Sequence, residues 1–174
     1  CRESLRRYGA KRVIAVSHFL ADYLEKNYQV SPQKIRVVHR GVALERFHPN
    51  SVTPDRLIQI AKQWRIPDGA SVILLPGRIS RIKGHMFLID ALQKLVQKDV
   101  FCLFVGSAEG NESYRKELED YIDSRGMGGS VRIVGGTDDM PAACMISTVV
   151  VAPTLVPEGF GRIAIEAQAM GRPI

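Results

Sequence analysis

The stretch Thr148-Val149-Val150-Val151-Ala152, followed after a short Pro-bounded turn by Pro157-Glu158-Gly159-Phe160-Gly161-Arg162-Ile163-Ala164-Ile165-Glu166-Ala167-Gln168-Ala169-Met170-Gly171-Arg172-Pro173, decides the fold. Its first five residues are apolar or β-branched and predict a buried strand. The segment after Gly161 has helical spacing and stops at Gly171. Strand, glycine-rich turn and helix together aim backbone N–H groups at a bound anion. Two carboxylates sit in the stretch, Glu158 before the helix and Glu166 inside it, with seven residues between them. Taken singly, Gly159 and Gly161 read as turn glycines, Glu158 as a helix-start carboxylate, and Glu166 as the partner of Arg162 four positions earlier.

Working outward, the same alternation repeats. Arg12–Val16, Ile35–Val38, Ser71–Leu75, Val100–Val105 and Val131–Val134 read as further strands. Ser17 caps a helix to Tyr28, and Pro54 opens one toward Trp64. His85–Val96 reads as a helix with Phe87, Leu88, Ala91, Leu92 and Leu95 on its apolar face. Asn111 or Ser113 caps a charged helix to about Arg125, and a short helix runs from Met140 to Met145. Strands apolar on both faces, alternating with helices, predict an α/β chain with a Rossmann-like parallel sheet covered on both sides. In such sheets a ligand binds beyond the carboxyl ends of the strands. The loops at that end are Gly77–Gly84, Gly106–Glu112, Gly135–Met140 and Pro153–Gly161.

Arg78 and Lys83 share one of these loops, just before a helix start. There a guanidinium fork and a compact ammonium can hold a diphosphate. The loop lacks the spacing and the Lys-Ser/Thr pair of a Walker sequence, and no Gly-x-Gly-x-x-Gly follows a strand. No Asp-x-Asp pair offers to hold a metal on the diphosphate, and Asp138-Asp139 are adjacent. His18, His39, His48 and His85 lack ligand spacing, so structural or surface roles are expected. Cys1, Cys102 and Cys144 make neither a metal set nor a disulfide framework, and Cys102 is expected in the core.

The chain has 174 residues and a formal charge of +6. That excess suits a phosphate-bearing ligand or an anionic membrane surface. No RNA-binding aromatic motif or dense basic block occurs, so nucleic acid is not expected as a partner. No run of about 18 apolar residues predicts a membrane span. The chain starts at Cys1 and ends at Pro173-Ile174, where a further strand is due, and we expect it to be truncated at both ends.

Gly77-Arg78 after a strand, then Lys83-Gly84, then Glu158-Gly159-Phe160-Gly161 with Glu166-Ala167 beyond, resembles the group 1 (family 4) retaining glycosyltransferases. The likeness extends to Ile14-Ala15-Val16-Ser17 and to Arg40-Gly41-Val42 leading to Arg46-Phe47-His48-Pro49. Many members carry Asn where this chain has Arg40.

The resemblance implies a GT-B architecture of two Rossmann-like domains. Residues 1–48 would be the tail of the acceptor-side domain and its linker, and residues 49–174 the nucleotide-sugar-binding domain without its C-terminal end. It implies a hexosyl-type transfer that retains anomeric configuration, with a UDP- or GDP-linked sugar as donor and a sugar or lipid-linked acceptor, in cell-surface polysaccharide or lipopolysaccharide biosynthesis. Arg78 and Lys83 would hold the donor diphosphate, Glu158 the transferred sugar, Gly159, Phe160 and Gly161 its backbone cradle, and Glu166 the ribose hydroxyls. Glu158, Arg78 and Lys83 are then the catalytic set. No metal and no cofactor is implied. The setting is cytoplasmic, with peripheral contact at the inner face of the membrane, and the fragment alone is expected to bind donor without turnover. The competing reading is a non-catalytic sugar-nucleotide-binding module.

Overall fold

The computed structural model describes residues 11–95 and 99–174. Cys1 and the expected helix end at Val96 lie outside the described residues. The chain divides into two compact units. One comprises residues up to Gly41 together with Pro157–Arg162, and the other Val42–Val156 with Ile163–Ile174.

In the first unit, β1 (Val13–Ala15) and β2 (Ile35–Val37) pair in parallel, Val13 opposite Ile35 and Ala15 opposite Val37. Both are one or two residues shorter than the apolar runs that predicted them. Helix α1 (His18–Tyr28) connects them. Its N-cap is Ser17, whose hydroxyl accepts the Leu20 N–H at 3.2 Å, satisfying an N–H with no partner inside the helix. It ends at Gln29 in the left-handed conformation, φ 55°, and the 3-10 turn Pro32–Lys34 follows.

The second unit is built on β3 (Ser71–Pro76), β4 (Val100–Val105), β5 (Val131–Val134) and β6 (Val149–Val150), all parallel, in the spatial order β5-β4-β3-β6. Its helices are α2 (Pro54–Trp64), α3 (His85–Leu92), α4 (Glu112–Ser124) and α5 (Met140–Ile146). Helix α6 (Arg162–Ala169) runs into this unit from the first. Pro54 opens α2 where its missing N–H costs nothing.

Strand residues alternate between two cores, as the pleat requires. Val72, Leu74, Phe101, Leu103 and Val105 face one core with Trp64, Ala143, Ala167 and Met170. Leu75, Cys102 and Phe104 face the other with Leu88, Ile89, Leu92, Leu118 and Ile122. Burial on both faces is why these strands read as continuous apolar runs.

Two expectations change here. Helix α3 ends at Leu92, and its buried side chains are His85, Leu88, Ile89 and Leu92, while Phe87 and Leu95 are exposed. The apolar face is rotated by about one position from the sequence pattern, because both His85 and Ile89 turn inward. Strand β6 has only two residues, Val149 opposite Ile73 and Val150 opposite Leu74. The flanking backbone still joins β3 through Thr148 N–H to Val72 O and Val151 N–H to Leu74 O, each 2.8 Å. On its other side, Val150 N–H donates to the Pro173 carbonyl at 2.9 Å.

Leu103 is fully buried in the central strand β4, between β3 and β5. Leu103→Ala is expected to lower stability by about 2–5 kcal/mol through lost burial and a residual cavity. Urea denaturation with an unchanged m-value will check it.

Candidate functional site

The order β5-β4-β3-β6 reverses direction at β3: successive strands add on one side of it, then β6 returns to the other. Loops leaving β3 and β6 part there, which opens a crevice at the carboxyl end. The loop after β3 is Gly77–Gly84, the one that carries Arg78 and Lys83.

This loop is pinned at several points. Gly77 N–H donates to Val105 O and Ile79 N–H to Ser107 O, both at 2.9 Å. The Ile79 side chain, in a segment expected to be polar, is fully buried in the core shared by α3 and α4. It therefore anchors the backbone between Arg78, which is exposed, and Ser80. The 3-10 turn Arg81–Lys83 closes with Lys83 N–H to Ser80 O at 3.0 Å, and Leu155 N–H donates to Ile82 O at 2.8 Å. Lys83 folds back over the loop start: its Cε lies 3.6 Å from where a Cβ on Gly77 would be. Gly84 has φ +72°, and a Cβ there would sit 2.1 Å from the Pro153 carbonyl oxygen, so only glycine lets the two backbones touch. Arg78, Lys83 and the N-terminus of α3 thus share one rigid loop.

Behind the loop stands a column of stacked groups. The Arg81 guanidinium lies 5.0 Å over the Tyr114 ring and makes two hydrogen bonds to Glu117, one of 2.8 Å. The Tyr114 ring is 6.1 Å from His85, and His85 meets Phe104 edge-on at 4.9 Å. His85 is fully buried, and among the described residues neither ring nitrogen makes a hydrogen bond of normal geometry. Burial lowers its pKa to about 4; the Ser80 backbone opposes the shift and the Lys83 charge adds to it. An unsatisfied buried polar group costs on the order of 1–3 kcal/mol.

At the carboxyl end of β5, Asp138-Asp139 have structural partners. Asp139 pairs with Arg56 (Nε–Oδ2 2.8 Å) and caps α5 by accepting the Ala142 N–H at 3.1 Å. The Arg56 guanidinium holds its carboxyl below the usual range. Arg46 donates to the Asp138 carbonyl. Neither arginine contact was visible in the sequence, since the partners lie more than 80 residues apart.

In the first unit, Glu158–Gly161 packs on the start of α1. The Ser17 hydroxyl, besides capping that helix, donates to the Gly159 carbonyl. A Cβ on Gly159 would lie 2.8 Å from Leu20 Cδ1, so this glycine serves close approach. Gly161 does have positive φ, +71°, and its missing Cβ would sit 3.6 Å from Glu158 Oε2, so the Glu158 carboxylate bends over it. Phe160 stands 6.3 Å from His39, which meets His18 edge-on at 5.5 Å. Glu166 is half-buried on α6 in the second unit. Burial, and then the Glu166 charge, push the Cys144 thiol up to about 12, against the pull of Arg172. Cys102 is fully buried, as expected, and burial raises its thiol as well.

Among the described residues no group of three or more His, Cys, Asp and Glu could hold a metal ion, and no helix is long and apolar enough to cross a membrane.

Comparison with known proteins now applies. Residues 58–174 match the family described as glycosyl transferases group 1, and residues 2–46 match glycosyltransferase family 4. The chain belongs to the group 1 glycosyltransferases. It is 32% identical over 95% of its length to D-inositol 3-phosphate glycosyltransferase 1 of Catenulispora acidiphila, covering 40% of that protein. It is similar to a glycosyltransferase structure from Rickettsia africae, with TM-score 0.89 and 32% identity over 97% of this chain and 46% of that one. It is also similar to HepE from Anabaena, solved in complex with UDP-glucose, with TM-score 0.84 and 26% identity over 94% of this chain and 43% of that one. These neighbours have the GT-B fold, and the α/β layout expected from sequence agrees with it. The chain spans about 40% of the length of the curated relatives it matches.

The buried neutral His85 makes stability of this group 1 chain pH-dependent. Its folded pKa is about 4 against an ordinary 6.5, so the unfolded state binds the extra proton. The stabilisation is full above about 6.5 and is lost as pH falls toward 4, by roughly 3 kcal/mol in all. Urea titrations at pH 7 and 4.5 are expected to show a smaller acid loss in His85→Phe than in the wild type.

Proposed function

We propose that this chain supplies donor binding to a retaining glycosyltransferase of the hexosyltransferase type, whose donor is a UDP- or GDP-linked sugar and whose acceptor is a sugar or lipid-linked sugar. The observation that carries the reading is the Arg78–Lys83 loop, pinned at the point where the strand order reverses and running into the N-terminus of α3. Residues 49–174 are, on this reading, the nucleotide-sugar domain and residues 1–48 the end of the acceptor-side domain.

The Arg78 fork and the compact Lys83 charge hold the diphosphate, helped by the helix terminus. As the bond from the anomeric carbon to the diphosphate oxygen breaks, negative charge grows on the leaving group. Cations already fixed in place stabilise that charge without reorganising, which is where electrostatic catalysis gains most. The acceptor oxygen bonds to the anomeric carbon on the face the diphosphate leaves, and its proton passes to a diphosphate oxygen. Configuration is retained, and the scheme uses neither a metal nor any other cofactor. The Glu158 carboxylate, bent over Gly161, fixes the sugar hydroxyls and offsets positive charge at the anomeric centre. Gly159, Phe160 and Gly161 cradle the sugar, and Glu166 takes the ribose hydroxyls.

A donor of this class is supported by HepE, a relative solved with UDP-glucose, and by the group 1 family match. The formal charge of +6 suits work at an anionic inner membrane face, where a lipid-linked polysaccharide or lipopolysaccharide acceptor would be met.

Two experiments test the reading. Arg78→Ala and Lys83→Ala are each expected to weaken nucleoside-diphosphate binding by about 1.5–3 kcal/mol while sparing the nucleoside, with EDTA without effect. Calorimetry showing equal losses for UDP and uridine, or binding lost in EDTA and restored by manganese, would sink it. Glu166→Gln is expected to weaken UDP or GDP and their sugars alike. Glu158→Gln should spare the bare nucleotide, weaken the sugar form and lower turnover in the full-length enzyme. Normal donor binding by a full-length enzyme that never turns over would leave a binding module instead.

A further inference from the structure

His85 is a buried titratable group that the transfer scheme does not use. It sits at the first position of α3, directly after Lys83-Gly84. The column Arg81–Tyr114–His85–Phe104 joins the Arg81–Lys83 turn to α4, α3 and β4. Stacking alone would not select histidine here. A phenyl ring would fill the same apolar place without stranding two ring nitrogens, yet both nitrogens are buried and unpartnered among the described residues. The Ser80 backbone pulls the His85 pKa upward, the effect of a nearby carbonyl, although no hydrogen bond of normal geometry is made. The Ser80 carbonyl already accepts the Lys83 N–H at 3.0 Å and retains a second lone pair.

We infer that His85 is a positioning residue for the donor diphosphate: its imidazole N–H closes a hydrogen bond to the Ser80 carbonyl when the 80–84 turn seats on the ligand, holding Arg78 and Lys83 in place. The inference rests on the diphosphate reading of the Arg78–Lys83 loop. A bond made only in the seated turn adds differential affinity for the ligand, which is what shifts the turn to that state. The charged and titratable groups around His85 are Lys83 in its own loop, Arg81 from the turn, and Tyr114 and Glu117 on α4; β4 presents the apolar Phe104. Protonating the ring would add a buried cation beside Lys83 and near Arg81, so acid works against the seated turn.

The test measures dissociation constants in the full chain for UDP-glucose or GDP-mannose, whichever the wild type binds, and for the matching nucleoside. The diphosphate of a nucleotide sugar does not titrate between pH 4.5 and 8, so any pH effect there belongs to the protein. His85→Phe is expected to bind the nucleotide sugar about three- to tenfold more weakly, the worth of one hydrogen bond. It should leave nucleoside affinity unchanged and keep or raise stability in urea at pH 7. His85→Asn, which restores an N–H, should recover part of the loss. Wild-type affinity should fall between pH 6.5 and 4.5, and the Phe variant should lack that fall.

Unchanged nucleotide-sugar affinity in His85→Phe overturns the inference, as does equal loss for the nucleoside or an Asn variant no better than Phe. If the Phe variant does not fold, the Asn variant and the wild-type pH profile decide, and a flat profile overturns it. Failure of Lys83→Ala to weaken the nucleotide sugar, or no nucleotide-sugar binding by the wild type, removes the diphosphate reading itself. Loss in Lys83→Ala with none in His85→Phe removes His85 alone.

Discussion

Strand β3 is hydrogen-bonded on both sides, to β4 over its whole length and to β6 at Ile73 and Leu74. Because all three strands are parallel, their carboxyl ends lie on one edge of the sheet, and the loops that leave β3 and β6 must part there. Everything chemically notable in the second unit follows from that pairing. Pro76 ends β3, and the chain leaves toward α3 through a loop too short to wander. The β6 side returns its backbone against the same loop, Pro153 O against Gly84 and Leu155 N–H on Ile82 O. A register slip of one residue would turn Leu74 and Leu75 to the wrong cores and move Arg78 away from the edge.

The parts of this arrangement carried by local pattern were legible. Strands β4 and β5 fall where their apolar runs begin and end, and the caps Ser17 and Pro54 stand where side-chain chemistry puts them. The loop with Arg78 and Lys83 was readable for the same reason, since a strand, a glycine and two cations before a helix are adjacent in sequence. What escaped notice depends on distant partners. Ile79 looks like one apolar residue in a polar loop until α3 and α4 bury it. Arg56 reads as a surface cation on a helix until Asp139 arrives from beyond β5. The Ser17 contact to Gly159 joins residues 142 positions apart. The apolar face of α3 was misjudged because Phe87 outranks His85 on any hydropathy scale, yet the imidazole is inside and the phenyl ring outside.

The two glycine segments show how similar sequence signals arise from different causes. Gly84 needs both a left-handed backbone and close approach to Pro153 O, so the loop closes only there. Gly159 has no positive φ and is glycine because Leu20 on α1 occupies the space of a Cβ, while Gly161 supplies the left-handed residue two positions on. Turn chemistry alone predicted both as turn glycines. The close-approach role of Gly159 depends on α1, more than a hundred residues earlier in the chain, and no local reading could supply it.

His85 departs from the local rules in a way that bears on function. A sequence optimised only for stability would place an apolar ring between Phe104 and Tyr114, since a buried imidazole without hydrogen bonds weakens the fold and makes it acid-sensitive. Departures of this kind concentrate where a site needs a group that is not at its own energy minimum. Here the departure lies two residues from Lys83 and five from Ser80, within the one loop that carries both donor cations. Elsewhere in the second unit, polar side chains brought against the sheet do have partners: Thr148 accepts Val72 N–H, Asp139 takes Arg56 and Ala142 N–H, and Ser147 donates to Cys144 O. The contrast is local, so a general tolerance for unpaired polar groups does not explain it. A turn whose last hydrogen bond waits for its ligand does.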